Sequence, residues 1–209
     1  MRGAWFKMRR WRHTIIMFIM TVTLICIMAG CGKANSVSSD MDSISIMKDG
    51  HIVQTIVDDF DPDYYDVDEL SKMTQKKIDL CSDDDGDIVC ETVEEKDGVV
   101  TVKIVYQNDE DYMDFNEKEL FFGKVYEASN AGYMIKDMLL DDGESLSDEQ
   151  LEKIEDDLIV IIQTQAGEEL AVNVYDKILY VSGDVTKSGK KDAVIQTTDA
   201  DKLSCIVFK

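Results

Sequence analysis

The alternation of apolar and polar residues predicts two β-hairpins in the first half of the chain. Residues 44–47 and 52–58 flank one Asp-Gly pair, and residues 88–94 and 99–107 flank another. Asp-Gly between alternating runs is the strongest short signal for a hairpin turn. In the strand at 99–107, one face is predicted to carry Val100, Val102, Ile104 and Tyr106.

A helix is predicted after each hairpin. Asp66 with Glu69, and Asp114 with Glu117, have the spacing of a capping box, in which the side chains of the first and fourth residues satisfy free backbone N–H groups. The second helix is the shorter one, and Asp109 is an alternative start for it.

The second half predicts further strands with helices between them. A helix over 124–131 is closed by Gly132, and a capping box at Ser147 and Gln150 opens another. The fully apolar run 158–162 is typical of a central strand. Other strands are predicted at 120–122, 170–175, 178–182, 193–197 and 203–208. The predicted fold class is α+β, a mainly antiparallel sheet with two or three helices on one face.

Part of this pattern is repeated along the chain. Lys48-Asp49-Gly50 recurs 48 positions later as Lys96-Asp97-Gly98, and ten of the 22 positions from 48 to 69 are identical at that offset. This favours a tandem hairpin–helix repeat, with units at about 44–80 and 88–120.

The charge divides the chain into a basic leader and an acidic body. Residues 1–30 contain five basic and no acidic side chains, so removing them takes the net charge from −21 to −26. A body of that charge repels phosphate backbones and anionic headgroups, which argues against nucleic-acid binding.

The leader has the three regions of an export signal. Positive charges lie within residues 1–13, an apolar run of 15 residues follows at 14–28, and small residues precede Cys31. The run is short for a membrane span of about 20 residues. Met28-Ala29-Gly30-Cys31 resembles a lipobox, with Met28 in place of the usual leucine.

The lipobox resemblance implies cleavage between Gly30 and Cys31, and thioether lipidation of the Cys31 sulfur by a lipid whose fatty acyl chains include palmitate. The alternative is an uncleaved N-terminal anchor, and both place the body outside the cytoplasm. The expected organisation is a signal peptide at 1–30, a lipidated cysteine and flexible tether at 31–43, and an extracytoplasmic domain at 44–209. The expected location is the outer face of the cell membrane, held by lipid.

Three cysteines remain in the body. Cys81 and Cys90 bracket an acidic loop and can form a disulfide only if their Cα atoms lie within about 7 Å. The competing interpretation is that both, like Cys205, are free thiols, and the sequence leaves this open.

No catalytic, metal or cofactor site is predicted. His51, the one histidine after residue 30, follows a turn, so a nucleophile–histidine pair is not expected. Placing Gly86 at position 6 of a calcium-binding EF-hand loop puts Cys81 at position 1 and Thr92 at position 12, where carboxylates are needed. Looser capture of calcium by the acidic loops at 58–63 and 82–87 stays open.

The acidic segment after the first hairpin contains Phe60, Tyr64 and Tyr65, either a partner-binding patch or a staple between helix and hairpin. A Lys-Asp-Gly hairpin leading into Tyr64-Tyr65-Asp66 resembles uncharacterised surface lipoproteins of Gram-positive bacteria, which implies a compartment but no activity. The expected function is a non-catalytic binding or modulating domain for a protein or envelope partner. The alternative is a calcium-dependent structural or adhesion module.

Overall fold

The structure, a computed structural model, describes residues 40–60, 66–82, 87–141, 143–199 and 201–209. The leader, Gly30, Cys31, Tyr64, Tyr65 and most of the acidic loop that ends at residue 87 lie outside the described residues. Described strands are β1 (Ser43–Ile46), β2 (Ile52–Asp59), β3 (Ile88–Lys96), β4 (Val99–Tyr106), β5 (Leu120–Lys124), β6 (Leu139–Asp141), β7 (Glu144–Ser145), β8 (Leu158–Thr164), β9 (Glu169–Val174), β10 (Ile178–Ser182), β11 (Val185–Lys187), β12 (Asp192–Gln196) and β13 (Lys202–Phe208). Described helices are α1 (Val67–Cys81), α2 (Asp109–Asn116), α3 (Val125–Ala131), α4 (Ile135–Met138) and α5 (Asp148–Ile154).

These strands form two sheets, where the sequence predicts one. The seven-stranded sheet has the order β11-β12-β9-β1-β2-β4-β3, and the six-stranded sheet has the order β5-β8-β13-β10-β6-β7. All pairings are antiparallel except that of β1 with β9. The α+β class with mainly antiparallel strands is therefore confirmed, and both predicted hairpins form.

Two hydrophobic cores share the six-stranded sheet. Val160 and Ile162 of β8 belong to a cluster that joins the inward sides of both sheets. Ile159 and Ile161 point the other way, into a second cluster with residues of α3, α4 and α5. Strand β8 lies between two neighbours and is buried on both faces, which explains its unbroken apolar sequence and confirms the central-strand prediction.

The first helix, α1, begins where the sequence predicts. The Asp66 carboxylate accepts hydrogen bonds from the backbone N–H groups of Asp68 (2.8 Å) and Glu69 (3.1 Å). Ile78 is buried on the inner side of α1, with Val67 and Leu70 half-buried around the same cluster.

The predicted cap at Asp114 is wrong. Helix α2 begins at Asp109, the alternative start, and Asn108 caps it by accepting the Asp111 N–H at 3.0 Å. Glu117 instead ends the helix in a left-handed conformation with φ 54°. With this start, Tyr112 and Phe115, three residues apart, both lie on the buried side of α2. The packing of these two side chains determines where the helix begins.

Five helices are described, more than the two or three expected. Helices α3, α4 and α5 cover the outer face of the six-stranded sheet, whereas α1 and α2 contact β3, β4 and β5. Ser147 and Gln150 form the predicted capping box, with bonds of 2.9 and 3.3 Å. Among the helices of the described residues, none has the length and apolar content needed to cross a bilayer.

Candidate functional site

A groove of about 560 Å³ lies between helices α3 and α5. Its volume is within the usual range for sites that take a small molecule or a few side chains of a partner. Large exposed apolar side chains lie along it, with Tyr126 41% and Met134 71% exposed. Large apolar side chains are usually buried, so two of them at one concave surface mark a candidate binding site.

Helix α3 forms one wall because its two sides differ. Val125 and Ala128, three residues apart, are buried in the second core. Tyr126, Ser129 and Asn130 are also at helical spacing and line the groove. The helix is therefore held by its apolar side while its tyrosine side stays accessible.

The end of the groove is fixed by the turn after α3. Gly132 has φ 102°, and its N–H donates to the carbonyl of Ser129 while that of Tyr133 donates to the carbonyl of Ala128, both at 3.1 Å. This is the Schellman arrangement that commonly closes a helix, and it confirms the predicted role of Gly132. The chain leaves the turn with Met134 directed to the surface.

Tyr133 anchors this turn to the sheet. Its hydroxyl donates a 2.6 Å hydrogen bond to Glu119, and its ring centroid lies 5.4 Å from that of Phe121. Burial, followed by the contact with Glu119, raises the pKa of Tyr133 above its usual value. Tyr133 therefore stays neutral and serves as a fixed part of the groove.

Helix α5 forms the opposite wall. Ile154 is buried in the second core, while Leu151, Glu152 and Glu155 line the groove. The N–H of Tyr126 donates to the carbonyl of Glu155 at 3.0 Å, so the start of α3 is tied to the end of α5. The groove is thus bounded by two elements connected through their backbones.

The lysines around the groove are already paired. Lys136 lies 2.5 Å from Asp148, Lys153 lies 2.8 Å from Glu149, and Lys124 lies 3.2 Å from Asp156. The hydrogen bond with Asp156 raises the pKa of Lys124 and keeps its charge. In each pair, the lysine and the carboxylate neutralise each other's charge at the edge of the groove.

Three carboxylates at the groove have no such partner. Within the described part of the chain, the side chains of Asp137, Glu152 and Glu155 make no ion pair or hydrogen bond. The groove therefore combines an apolar surface with three uncompensated negative charges, which suits a ligand that is both apolar and basic.

A second cavity, of about 50 Å³, lies at one end of the space between the sheets. It is lined by Gln54, Tyr112 and an ion pair of 2.7 Å between Lys118 and Glu168. Burial opposes ionisation of Glu168, but the N–H of Gln165 and the Lys118 ammonium together lower its pKa. The volume admits no more than a few water molecules.

The structure places His51 and Phe60, two residues considered from the sequence, in or next to the β1–β2 hairpin. His51 is at the β1–β2 turn with its Nδ1 3.0 Å from Asp49, an interaction that lowers the pKa of the Asp49 carboxyl. Phe60 is buried and donates its N–H to the carbonyl of Gly98 at 2.8 Å, as expected of a packing residue.

All three body cysteines are free thiols in the structure. Burial raises the pKa of Cys90, and raises that of Cys205 to about 12. Thiols of raised pKa are poor nucleophiles, because the thiolate is the reactive form. Among the described residues, no group of three or more His, Cys, Asp or Glu side chains is placed to hold a metal ion.

No protein-family model matches the chain, and neither a curated protein nor a solved structure does. What the groove can bind is therefore inferred from its own residues alone.

The groove residues carry no sequence motif that predicts a site. Both helices are predicted, with Gly132 ending the first and Ser147 opening the second, but their proximity depends on the sheet beneath them. The available signal was Tyr126 on the polar side of a predicted helix, followed by Met134 just beyond its glycine.

Proposed function

We propose that this chain is a lipid-anchored extracytoplasmic protein that binds a partner through the groove between α3 and α5, without catalysing a reaction. The anchoring rests on the lipobox-like sequence at Cys31. The binding surface rests on one observation, the exposed Tyr126 and Met134 beside three carboxylates that have no partner among the described residues.

The groove suits a protein segment that presents an apolar side chain with lysine or arginine beside it. Burying Met134 and Tyr126 against an apolar side chain supplies the hydrophobic contribution. Basic residues one helical turn away reach Glu152 of α5 and Glu155, the residue that directly follows the helix, which are three positions apart. An amphipathic helix lying in the groove satisfies both requirements.

The absence of catalysis is part of this proposal. It is supported by the position of His51 at a turn, paired with Asp49, and by the raised pKa values of Cys90 and Cys205. In the groove, the hydroxyl of Ser129 donates to the carbonyl of Val125 at 3.1 Å, and Lys136 is paired with Asp148.

The tandem repeat remains a prediction. It is supported by the order of elements, since each Lys-Asp-Gly hairpin is followed by a helix. The two helices begin at different places in the proposed alignment, because Asp66 caps α1 whereas the equivalent Asp114 lies inside α2.

Photocrosslinking tests the groove. A benzophenone amino acid is placed at position 134 of the full-length chain, exported by living cells, and at position 89 as a control, since Val89 is an exposed apolar residue of β3. We expect an adduct from position 134 whose partner peptide, mapped by mass spectrometry, contains lysine or arginine next to an apolar residue.

Charge reversal then tests the chemistry of that adduct. Glu152→Lys combined with Glu155→Lys should remove the adduct, whereas Glu144→Lys, at an exposed site on β7, should leave it. No adduct from position 134, or an adduct that survives reversal of both groove carboxylates, contradicts the proposal.

A further inference from the structure

The small cavity at one end of the space between the sheets is lined mostly by polar side chains. Its volume is about 50 Å³, and Gln54, Tyr112, Lys118 and Glu168 are among its lining residues. A buried water needs roughly 15 Å³ of space and about two to four polar partners, whereas an apolar cavity stays dry. The occupant of this cavity therefore depends on which of its polar groups still need a hydrogen bond.

Tyr112 brings to the cavity a hydroxyl that has no partner. The residue is 3% exposed, and its hydrogen bonds within the described residues are made by its backbone alone. Burial, followed by the nearby charge of Glu168, raises the pKa of Tyr112, so the hydroxyl keeps its proton. Buried hydroxyls in native proteins almost always have a partner, so this one calls for a group inside the cavity.

Gln54 brings an amide nitrogen, whose orientation follows from a chain of donors. The amide nitrogen of Asn116 donates to the carbonyl of Tyr112 and also to the hydroxyl of Tyr106. That hydroxyl has one proton, which it donates to Oε1 of Gln54. The amide nitrogen of Gln54 makes no hydrogen bond within the described residues, and it is the donor that Gln54 offers to the cavity.

The ion pair of Lys118 and Glu168 adds an acceptor with spare capacity. One carboxylate oxygen of Glu168 accepts from Lys118 at 2.7 Å, and the other accepts from the N–H of Gln165 at 2.8 Å. Each carboxylate oxygen has two lone pairs. Glu168 can therefore accept a further hydrogen bond from a group in the cavity.

The occupant must both accept and donate hydrogen bonds. It accepts from the Gln54 amide and donates to Glu168, which neither a metal cation nor a simple anion does and a water molecule does. Asp42 and Glu169 also line the cavity, but in the described part of the chain no three acidic, histidine or cysteine side chains are placed to hold a metal ion.

We propose that this cavity holds an ordered water molecule that joins Gln54 and Tyr112 to Glu168. The water accepts from the Gln54 amide, donates to the Glu168 carboxylate and has the Tyr112 hydroxyl as its third partner, and about three bonds are typical of a buried water. The water extends the buried chain of Asn116, Tyr106 and Gln54 to the ion pair at the mouth of the cavity. The site is independent of the groove between α3 and α5.

Nuclear magnetic resonance locates this water. Water-selective NOE and ROE spectra of ¹⁵N-labelled full-length protein are read at the side-chain amide protons of Gln54. A water that stays bound longer than the protein takes to tumble gives peaks of opposite sign in the two spectra, and we expect them at Gln54. The control is the side-chain amide of Gln75, which is exposed on α1 and donates to Asp79, and it should give no such pair of peaks.

Oxygen-17 relaxation dispersion of the solvent excludes a signal relayed by a hydroxyl proton, because it detects only the oxygen of water. Tyr112→Phe with Gln54→Leu makes the cavity more apolar, so the dispersion amplitude should fall by the contribution of at least one buried water. Tyr180→Phe is the control and should leave the amplitude unchanged, since the hydroxyl of Tyr180 makes no hydrogen bond within the described residues. If the double variant does not fold, Tyr112→Phe alone takes its place, with the same fall expected.

Two results overturn the inference. One is the absence of peaks of opposite sign at the Gln54 amide of the parent protein. The other is an oxygen-17 amplitude that is the same in the cavity variant and in Tyr180→Phe. Neither measurement involves the groove, so the crosslinking result at position 134 decides the proposed function separately.

Discussion

The hydroxyl of Tyr106 donates a 2.6 Å hydrogen bond to Oε1 of Gln54 inside the core. The two residues belong to neighbouring strands, β4 and β2. Asn116, at the end of α2, donates from Nδ2 to the same hydroxyl at 3.1 Å and to the carbonyl of Tyr112 at 3.0 Å. One fully buried hydroxyl therefore connects two strands of the seven-stranded sheet to a helix.

Tyr106→Phe should lower the free energy of unfolding by about 2 kcal/mol, because it removes two hydrogen bonds and leaves Oε1 of the half-buried Gln54 without its donor. Urea denaturation followed by circular dichroism measures the change. Tyr180→Phe is the matched control, since the hydroxyl of Tyr180 makes no hydrogen bond within the described residues. Equal stabilities of the two variants would show that the network contributes nothing.

Asp184→Ala should be more damaging. The Asp184 side chain is only 6% exposed, and its carboxylate accepts hydrogen bonds from the hydroxyls of Ser182 (2.7 Å) and Ser204 (2.5 Å). Removing it leaves two buried hydroxyls without that acceptor, for a loss of about 3 kcal/mol. We expect calorimetry to record a melting temperature lower by about 6 to 12 °C.

The control for Asp184 is Glu144→Ala, which removes an exposed carboxylate from the short strand β7. Its melting temperature should stay within a degree or two of the parent, because exposed side chains outside networks contribute little. If the melting temperature falls by a similar amount in both variants, the cause is the change in net charge.

Asp111→Asn should stabilise the protein at neutral pH. Burial, followed by the neighbouring charge of Asp87, raises the pKa of Asp111, and its Oδ2 has no hydrogen-bond partner among the described residues. A carboxyl whose pKa is raised on folding makes the native state lose stability as pH rises from its unfolded pKa through its folded pKa. Asparagine does not ionise, so the variant keeps the stability that the parent loses as the pH rises.

The gain from Asp111→Asn should therefore be largest at pH 7 and should disappear as the pH falls below the ordinary carboxyl range. Thermal unfolding of both proteins at a series of pH values measures it. A difference that does not change with pH would mean that ionisation of Asp111 is not its cause.

Cys31→Ala should abolish lipid attachment. The lipobox-like sequence predicts that the Cys31 sulfur carries the lipid, so the variant should incorporate no labelled palmitate and should not be retained by the membrane. Cys205→Ala is the control for loss of a thiol and should be labelled normally. Palmitate incorporation into the Cys31 variant would defeat the assignment.

Local signals predicted most of the elements. Strand β8 was identified from five consecutive apolar residues, and the starts of α1 and α5 from the capping residues Asp66 and Ser147. These signals depend on neighbours within a turn or two of the chain, which the sequence displays directly.

Features that depend on distant segments were not predictable in the same way. The parallel pairing of Ile44 in β1 with Val172 in β9 joins residues more than a hundred positions apart. The division into two sheets and the meeting of α3 with α5 are set by such pairings. The error at Asp114 has the same origin, because burial of Tyr112 and Phe115 outweighed a local capping signal.

The position of β1 has a mechanical consequence. It is the fourth of seven strands, bonded to β2 on one side and to β9 on the other. A force that pulls on the chain ahead of Ser43 along the strand direction therefore loads two rows of backbone hydrogen bonds in shear at the same time. These bonds must give way together, so tension applied from that end is resisted by the middle of the sheet and cannot peel away an edge.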